Sequence, residues 1–315
     1  MEPWLIAVVV IASSLTIYLG LSAFLYRRLF LVAGYHRQAF VDQTDPFFKP
    51  SWNWFDRAPK ESVKIKAYDN TLLTGVFMPS YDEKSTCTAI ILHGYRSCHE
   101  DMIAIAKMYN DMGFKTLLID QRGHGTSGGE FTSFGHYEKM DLKKWILYVL
   151  KTYGADENIL LHGVSMGAAT VTLASALALP EQVKLVVADS GFTTLPRLFL
   201  ANMKVKLGLL LFLGLDLILF FMHRYLLCQV NPLKAVQKSR IPILFIHGEA
   251  DTEVPMVMAN QLHEASKAPF KELYLVPNAA HGKAYVLDKT NLEQHLFAII
   301  RTFFNIKKSV IKQMK

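Results

Sequence analysis

The 315-residue chain has only three cysteines, Cys87, Cys98 and Cys228. The number is odd and too small for a disulfide framework, which fits a reducing compartment. No group of cysteines, histidines or carboxylates has metal-ligand spacing, so no metal is expected. No glycine-rich stretch follows a dinucleotide or phosphate-loop pattern, so no nucleotide cofactor is expected either. There is no internal repeat and no low-complexity run. Acidic residues are in the minority, 27 against 34 basic ones, for a net charge of +7. The sequence pI is about 9.1. Basic residues gather at the two ends, at Arg27, Arg28, Lys307, Lys308, Lys312 and Lys315. With no nucleic-acid recognition motif beside them, attraction to an anionic membrane surface is the simpler expectation.

Residues 4–26 contain no charged side chain and are dominated by Leu, Ile, Val and Ala. At ~1.5 Å per residue, a helix of that length crosses a hydrocarbon core of ~30 Å. Trp4, Tyr18 and Tyr26 suit the membrane interfaces. A cleaved signal peptide would want a basic start and a shorter apolar core. Here the chain opens Met1-Glu2-Pro3, and the positive charges Arg27, Arg28 and Arg37 come afterwards. The expectation is an uncleaved anchor over residues 1–28, with the rest on the cytoplasmic side by the positive-inside tendency. Residues 29–60 read as a juxtamembrane arm in which Pro46, Pro50 and Pro59 break any long helix. Its aromatics, Trp52 and Trp54 among them, suit either the headgroup level or packing on a domain.

Beyond the arm, residues 61–315 alternate between two kinds of pattern. Strands are expected at 63–68 and 72–78, joined by the turn pair Asp69-Asn70, then at 88–92, 115–119, 158–162, 183–188, 242–247 and 273–276. Helices are expected near 101–112, 137–153, 256–267 and 291–304. Such alternation implies βαβ units and a mostly parallel eight-stranded sheet with helices on both faces, an α/β fold. Short apolar strands such as Leu117-Leu118-Ile119 fit burial on both sides. About 250 residues suffice for one large core.

Gly163-Val164-Ser165-Met166-Gly167 lies between a strand-like run and the small-residue run 168–179. A Gly-x-Ser-x-Gly at a strand-to-helix turn is the pattern of a nucleophile elbow, and the glycines are there because the turn is tight. Such a serine needs a base, because the free hydroxyl is a poor nucleophile at neutral pH. The expected chain order is serine, acid, histidine. Asp251 and His281 each stand a few residues past the C-terminal end of a strand, where open α/β sheets carry their chemistry. Ser165 is therefore the candidate nucleophile, His281 the candidate base and then acid, and Asp251 the carboxylate that orients the imidazole. Glu253 and Asp189 are the competing acids. His93, His124, His162 and His247 adjoin glycines at strand ends and read as loop-shaping residues. Acyl transfer also needs oxyanion donors. The expected pair is the backbone N–H of Met166 and that of Tyr95, in a loop that Gly94 turns back over the site. Arg122 reads as structural, paired with a nearby carboxylate.

Taken in order, five stretches resemble the α/β-hydrolase superfamily. They are His93-Gly94-Tyr95-Arg96, Asp120-Gln121-Arg122-Gly123-His124-Gly125-Thr126-Ser127, the Ser165 pentapeptide, His247-Gly248-Glu249-Ala250-Asp251 and His281-Gly282. The resemblance spans residues 61–305. Within that superfamily the chain is similar to membrane-anchored bacterial hydrolases related to Bem46-type proteins and the serine aminopeptidase/monoacylglycerol lipase group. It follows no family pattern over the insertion at about 193–230, where a cap is expected. There, residues 207–222 are apolar except for Asp216. A helix apolar all round must be buried in protein or lipid. Two placements stay open: a cap over the site, or one dipping into the membrane with Lys204, Lys206 and Arg224 at the headgroups. Asp216 either pairs with a base or lines the pocket.

The functional expectation is a membrane-anchored serine hydrolase that cleaves an ester or thioester of a hydrophobic acyl substrate. Its expected partners are a small-molecule or lipid-like acyl substrate and membrane lipid, with no nucleic acid. A peptidase or amidase with the same triad is the alternative implied by the resemblance. A non-catalytic binding scaffold with the same fold is the alternative of another class.

Overall fold

A computed structural model describes residues 2–32, 41–202 and 208–305, with side chains of the last stretch from residue 211 onward. Helix α1 (Pro3–Leu29) comes first, with Pro3 in its first turn, where a missing N–H costs nothing. It is long and apolar enough to cross a membrane. Helix α2 (Lys49–Arg57) follows, with Pro50 likewise in its first turn. Strands β1 (Glu61–Lys66), β2 (Leu72–Met78) and β3 (Cys87–Leu92) lead through a 3-10 turn to α3 (Ile103–Asp111). Then come β4 (Lys115–Asp120), α4 (Glu138–Tyr153), β5 (Asn158–Val164), α5 (Met166–Ala174) and β6 (Val183–Asp189). The insertion forms α6 (Leu195–Asn202), α7 (Gly208–His223) and, after a second 3-10 turn, α8 (Pro232–Val236). The chain closes with β7 (Ile243–Gly248), α9 (Val257–Ala265), β8 (Lys271–Val276), α10 (Ala284–Leu287) and α11 (Lys289–Phe303).

Among the described residues the eight strands form one sheet in the order β1-β2-β4-β3-β5-β6-β7-β8. β2 runs antiparallel to both β1 and β4, and every other pairing is parallel. The first strand is shifted from expectation. It ends at Lys66, because the Ala67 N–H turns to the carbonyl of Thr71 and closes the hairpin early. The central strands carry apolar side chains on both faces because both are covered. All six residues of β3 are buried.

Helices α2, α3, α10 and α11 cover one face, with Trp52, Phe55, Ile103, Tyr109, Leu296 and Ile300 in the packing. Helices α4, α5, α8 and α9 cover the other, around Trp145, Val171, Val236 and Leu262. The arm thus packs Trp52 and Phe55 on the domain. A third apolar cluster sits above the C-terminal ends of the strands and joins Tyr26 and Phe30 to Phe134, Phe192, Phe199, Leu215 and Leu219. The insertion therefore rests both on the sheet and on the end of α1. Residues 33–40, 203–207 and 306–315, with the expected Arg37, Lys204, Lys206 and the C-terminal lysines, lie outside the described residues.

Candidate active site

β5 ends at Val164 and α5 begins at Met166, so Ser165 alone makes the turn between them. Its backbone sits at φ 57°, ψ −113°, a sparsely populated region that costs roughly 1–3 kcal/mol for a side-chain-bearing residue. Its neighbours hold it there. The Ser165 N–H donates to the Asp189 carbonyl at 2.8 Å, tying the turn to β6. A Cβ on Gly163 would strike the backbone of Gly167, and one on Gly167 would strike the backbone of Leu92 and His93. Strand, turn and helix approach so closely that only glycine fits at these two positions.

The imidazole of His281 lies between Ser165 and Asp251. Its Nε2 is 2.8 Å from Ser165 Oγ and its Nδ1 is 2.7 Å from Asp251 Oδ2. A carboxylate only accepts, so Nδ1 carries the proton and Nε2 is left to accept from the hydroxyl. Burial by itself disfavours the imidazolium. The hydrogen bond and charge of Asp251 outweigh that and raise the His281 pKa above its ordinary 6.5. Asp251 is buried, yet hydrogen bonds from His247, His281 and the Val254 N–H overcome burial and hold it well below the usual carboxylate range. Its Oδ1 accepts from the N–H groups of Glu253 at 2.9 Å and Val254 at 2.8 Å. The loop after β7 thus wraps its own aspartate and aims the other oxygen at the ring.

Neither competing acid takes that place. The Asp189 carboxylate accepts from Ser190 Oγ at 2.8 Å, and burial pushes its pKa up to about 6. Glu253 lends Asp251 its backbone N–H, and its side chain borders the cavity. Ser190 Oγ in turn accepts from the Gly282 N–H at 3.1 Å, steadying the residue after His281.

The loop after β3 comes over the serine from the other side. A Cβ built on Gly94 would lie 3.3 Å from Ser165 Cβ, so this backbone is within contact of the elbow. His93 fixes the loop: its Nδ1 donates to the Gly94 carbonyl at 2.7 Å and its Nε2 accepts from the Gln121 N–H at 3.0 Å. Tyr95 and Met166 border the same cavity as Ser165. The Tyr95 ring stacks on Phe134 with centroids 4.9 Å apart, and its hydroxyl donates to the Leu29 carbonyl at 2.9 Å. Arg96 donates from Nη2 to the Arg28 carbonyl at 2.6 Å. The last carbonyls of α1 are thereby capped by the loop that passes over the serine. The cavity itself encloses about 420 Å³, in the range of small-molecule sites. Most of its surface is apolar, with Leu29, Phe134, Phe192, Leu198 and Phe199 among the walls, although Asp101, Asp189, Glu253 and Lys283 also border it.

Comparison with known proteins agrees with this architecture. Residues 90–220 match the family described as alpha/beta hydrolase fold. The chain has the α/β-hydrolase fold. Among solved structures, an esterase of Pyrococcus furiosus superposes with a TM-score of 0.66 at 24% identity, covering 85% of this chain and 99% of that one. Est1E of Butyrivibrio proteoclasticus, solved with ferulic acid bound, gives 0.60 at 19% identity over 76% of this chain and 98% of that one. Among sequences, the uncharacterized protein YqkD of Bacillus subtilis is 28% identical over 239 residues, 75% of this chain and 77% of that one.

Several residues around this site were not singled out for it by the sequence. His247 reads as loop-shaping, and its Nε2 does reach the Val254 carbonyl at 2.8 Å, but it also stands 3.3 Å from Asp251 Oδ2. Its spacing four residues before Asp251 was the available clue. Leu29 and Phe199 sit in apolar runs that look alike at every position, so nothing marks them as cavity walls. Arg122 is a structural ion pair, as its loop suggested. It grips Asp141 through Nε and Nη2 at 2.7 and 2.8 Å, and Asp69 through Nη1 at 2.8 Å. Asp216 accepts the N–H of Leu227 at 2.7 Å and shapes the turn after α7; it does not line the cavity beside Ser165. Among the described residues no three histidine, cysteine or acidic side chains are grouped to hold a metal ion.

Proposed function

We propose that the chain is a membrane-anchored serine hydrolase that cleaves an ester or thioester of a hydrophobic acyl substrate through a covalent acyl-enzyme. The observation that carries this reading is the unbroken hydrogen-bonded line from Ser165 Oγ through His281 to Asp251, at 2.8 and 2.7 Å, in an apolar cavity. As the Ser165 oxygen attacks the carbonyl carbon, its proton passes to His281 Nε2. Asp251 stabilises the imidazolium that forms. The N–H groups of Tyr95 and Met166 take the developing oxyanion. The C–O or C–S bond then breaks, and the leaving alcohol or thiol receives the proton from Nε2. A water molecule, deprotonated by the same nitrogen, attacks the acyl carbon; the bond to Ser165 Oγ breaks, Oγ takes the proton back from Nε2, and the carboxylic acid leaves. The apolar walls favour the acyl chain over a charged substrate.

The helix Pro3–Leu29 serves as the anchor in this reading, with Arg27 and Arg28 placing the hydrolase domain on the cytoplasmic side. A C-terminal reporter that is active only outside the cytoplasm should stay silent, and strong signal would reverse the orientation. For the chemistry, a fluorophosphonate probe should label the intact chain, and labelling should vanish in Ser165→Ala. Folded protein that stays unlabelled would leave only a binding role for the fold. A panel of acyl esters, thioesters and peptides should then be cleaved in the first two classes. Turnover confined to peptides would move the site to the peptidase reading.

A further inference from the structure

Helix α7 is apolar on the face it buries and equally apolar on the face it turns away. Phe212, Leu215 and Leu219 point into the cluster above the sheet. Leu213, Leu217, Phe220 and Phe221, at spacings of four, three and one along the helix, are exposed, Phe221 by 67%. Between residues 211 and 223 the one charged carboxylate is Asp216, and it is occupied by the Leu227 N–H. A surface helix of a water-soluble domain shows a polar outer face, and this one has none.

What covers that face follows from its neighbour. α7 lies against the second half of α1. Gly214 meets Ser22 and Tyr18 so closely that a Cβ would strike the serine side chain. Farther along, the Tyr26 hydroxyl is 2.7 Å from His223 Nε2. Both contacts advance in the same direction, so the two helices run parallel. In α1, residues 3–17 are exposed throughout, and burial starts only at Tyr18. Those fifteen residues span about 22 Å, short of a hydrocarbon core of ~30 Å by about five residues. The uncharged run continues to Tyr26 and stops at Arg27, so the missing length comes from residues 18–22. These are the residues that Gly214 touches. After His223 the chain bends by 79° into the segment that leads to α8, which packs on α5 within the domain.

We infer that α7 is a second membrane element that does not cross: it lies beside α1 in the half of the bilayer nearest the domain, with Leu213, Leu217, Phe220 and Phe221 against lipid acyl chains. This rests on α1 being the anchor. Leu213 is then the deepest of the four and Phe221 the shallowest. Two inserted helices fix how the domain is turned on the membrane, which one helix cannot do. The cavity wall at Leu29, a few residues past the Tyr26–His223 contact, is held at the bilayer surface as a result.

The test uses the full chain in lipid nanodiscs, in a Cys228→Ser background, because Cys228 is exposed while Cys87 and Cys98 are buried. Single variants Leu213→Cys, Leu217→Cys and Phe221→Cys carry a fluorophore, and lipids with a nitroxide at a deep or a shallow position quench it. Ile11→Cys on the free half of α1 reports the anchor, and Tyr81→Cys on an exposed loop reports water. The expected result is loss of most fluorescence at 213 with the deep nitroxide and at 221 with the shallow one, with 81 unaffected. If 213, 217 and 221 behave like 81 while 11 is quenched, the anchor stands and the placement of α7 is overturned. Absence of quenching at 11 overturns both. Oxidative cross-linking of 213 to a second copy, without quenching, overturns the lipid contact in favour of a homo-oligomer interface.

Discussion

The cavity has two walls of different make. One is polar and comes from the ends of adjacent parallel strands: Ser165 after β5, Asp189 after β6 and His281 after β8 face the cavity, with Ser190 after β6 and Asp251 after β7 behind them. Each of these groups is fixed by at least one short hydrogen bond to another member of the set. The other wall is apolar and comes from elements far apart in the chain: Leu29 at the end of α1, Phe134 from the loop before α4, and Leu198 and Phe199 from α6. Packing area and aromatic contacts hold it, with Phe30 edge-on to both Phe134 and Phe199 at 5.4 and 6.0 Å. The proposed chemistry, which tolerates little displacement, stands on the ends of the sheet strands. In the proposed function, selection among substrates falls to the apolar side chains from α1, α6 and the loop before α4. The Tyr95–Leu29 hydrogen bond is the stitch between the two.

The comparison breaks most plainly at the polar wall. Ser165→Ala and His281→Ala should each lower kcat toward a p-nitrophenyl ester by about ten-thousand-fold or more, with residual turnover left to the oxyanion donors. Circular dichroism would confirm folding, and full activity in His281→Ala would remove the histidine from the mechanism. Asp251→Asn keeps the shape but lets the ring take the wrong tautomer, so a loss of about ten-thousand-fold is expected from steady-state rates.

The pH profile sharpens the same wall. The base must be neutral to accept the serine proton, and its pKa is raised above 6.5. Activity should therefore rise with pH along a single limb whose midpoint lies above 6.5, and it should be lost below. In Asp251→Asn the raising partner is gone while burial remains, so the midpoint should move to lower pH. A midpoint that moves upward would contradict the assigned pair.

Smaller effects test the stitch and the apolar wall. Tyr95→Phe keeps the stacking on Phe134 and removes the short bond to the Leu29 carbonyl together with the longer contact to the Arg28 carbonyl. About fivefold in kcat is expected, the worth of one hydrogen bond of ~1 kcal/mol, with KM for a short ester unchanged. Phe199→Ala should lower kcat/KM for an octanoyl ester by a fewfold and leave an acetyl ester nearly untouched. Equal loss on both esters would mean that this ring does not select by chain length.

Much of the polar wall was legible in advance. Gly163, Ser165 and Gly167 betray themselves because a tight strand-to-helix turn admits few residue types, and Asp251 and His281 each follow a run of β-formers directly. The strand–helix alternation gave the sheet for the same local reason, down to errors of a few residues such as the early end of β1 at Lys66. Tyr95 was legible only as a backbone, since nothing near it in the chain speaks of the carbonyl at Leu29 that its hydroxyl reaches. The arm illustrates the limit from the other side: Trp52 and Phe55 fit two environments equally well by composition, and only packing against α3 and the sheet decided between them.

What the amino-acid sequence by itself determined is the set of short-range patterns: an uncharged run long enough to span lipid, a sheet of mostly parallel strands, and a serine, an aspartate and a histidine in an order that a parallel sheet can bring together. What only the tertiary structure decided is which apolar residues meet. Apolar contacts are non-directional, and a run such as α7 looks the same from every side until a neighbour occupies one of them. The docking of α7 on the last turns of α1, the closing of the cavity by Leu29 and Phe199, and the turn of Asp216 toward Leu227 all belong to that second kind.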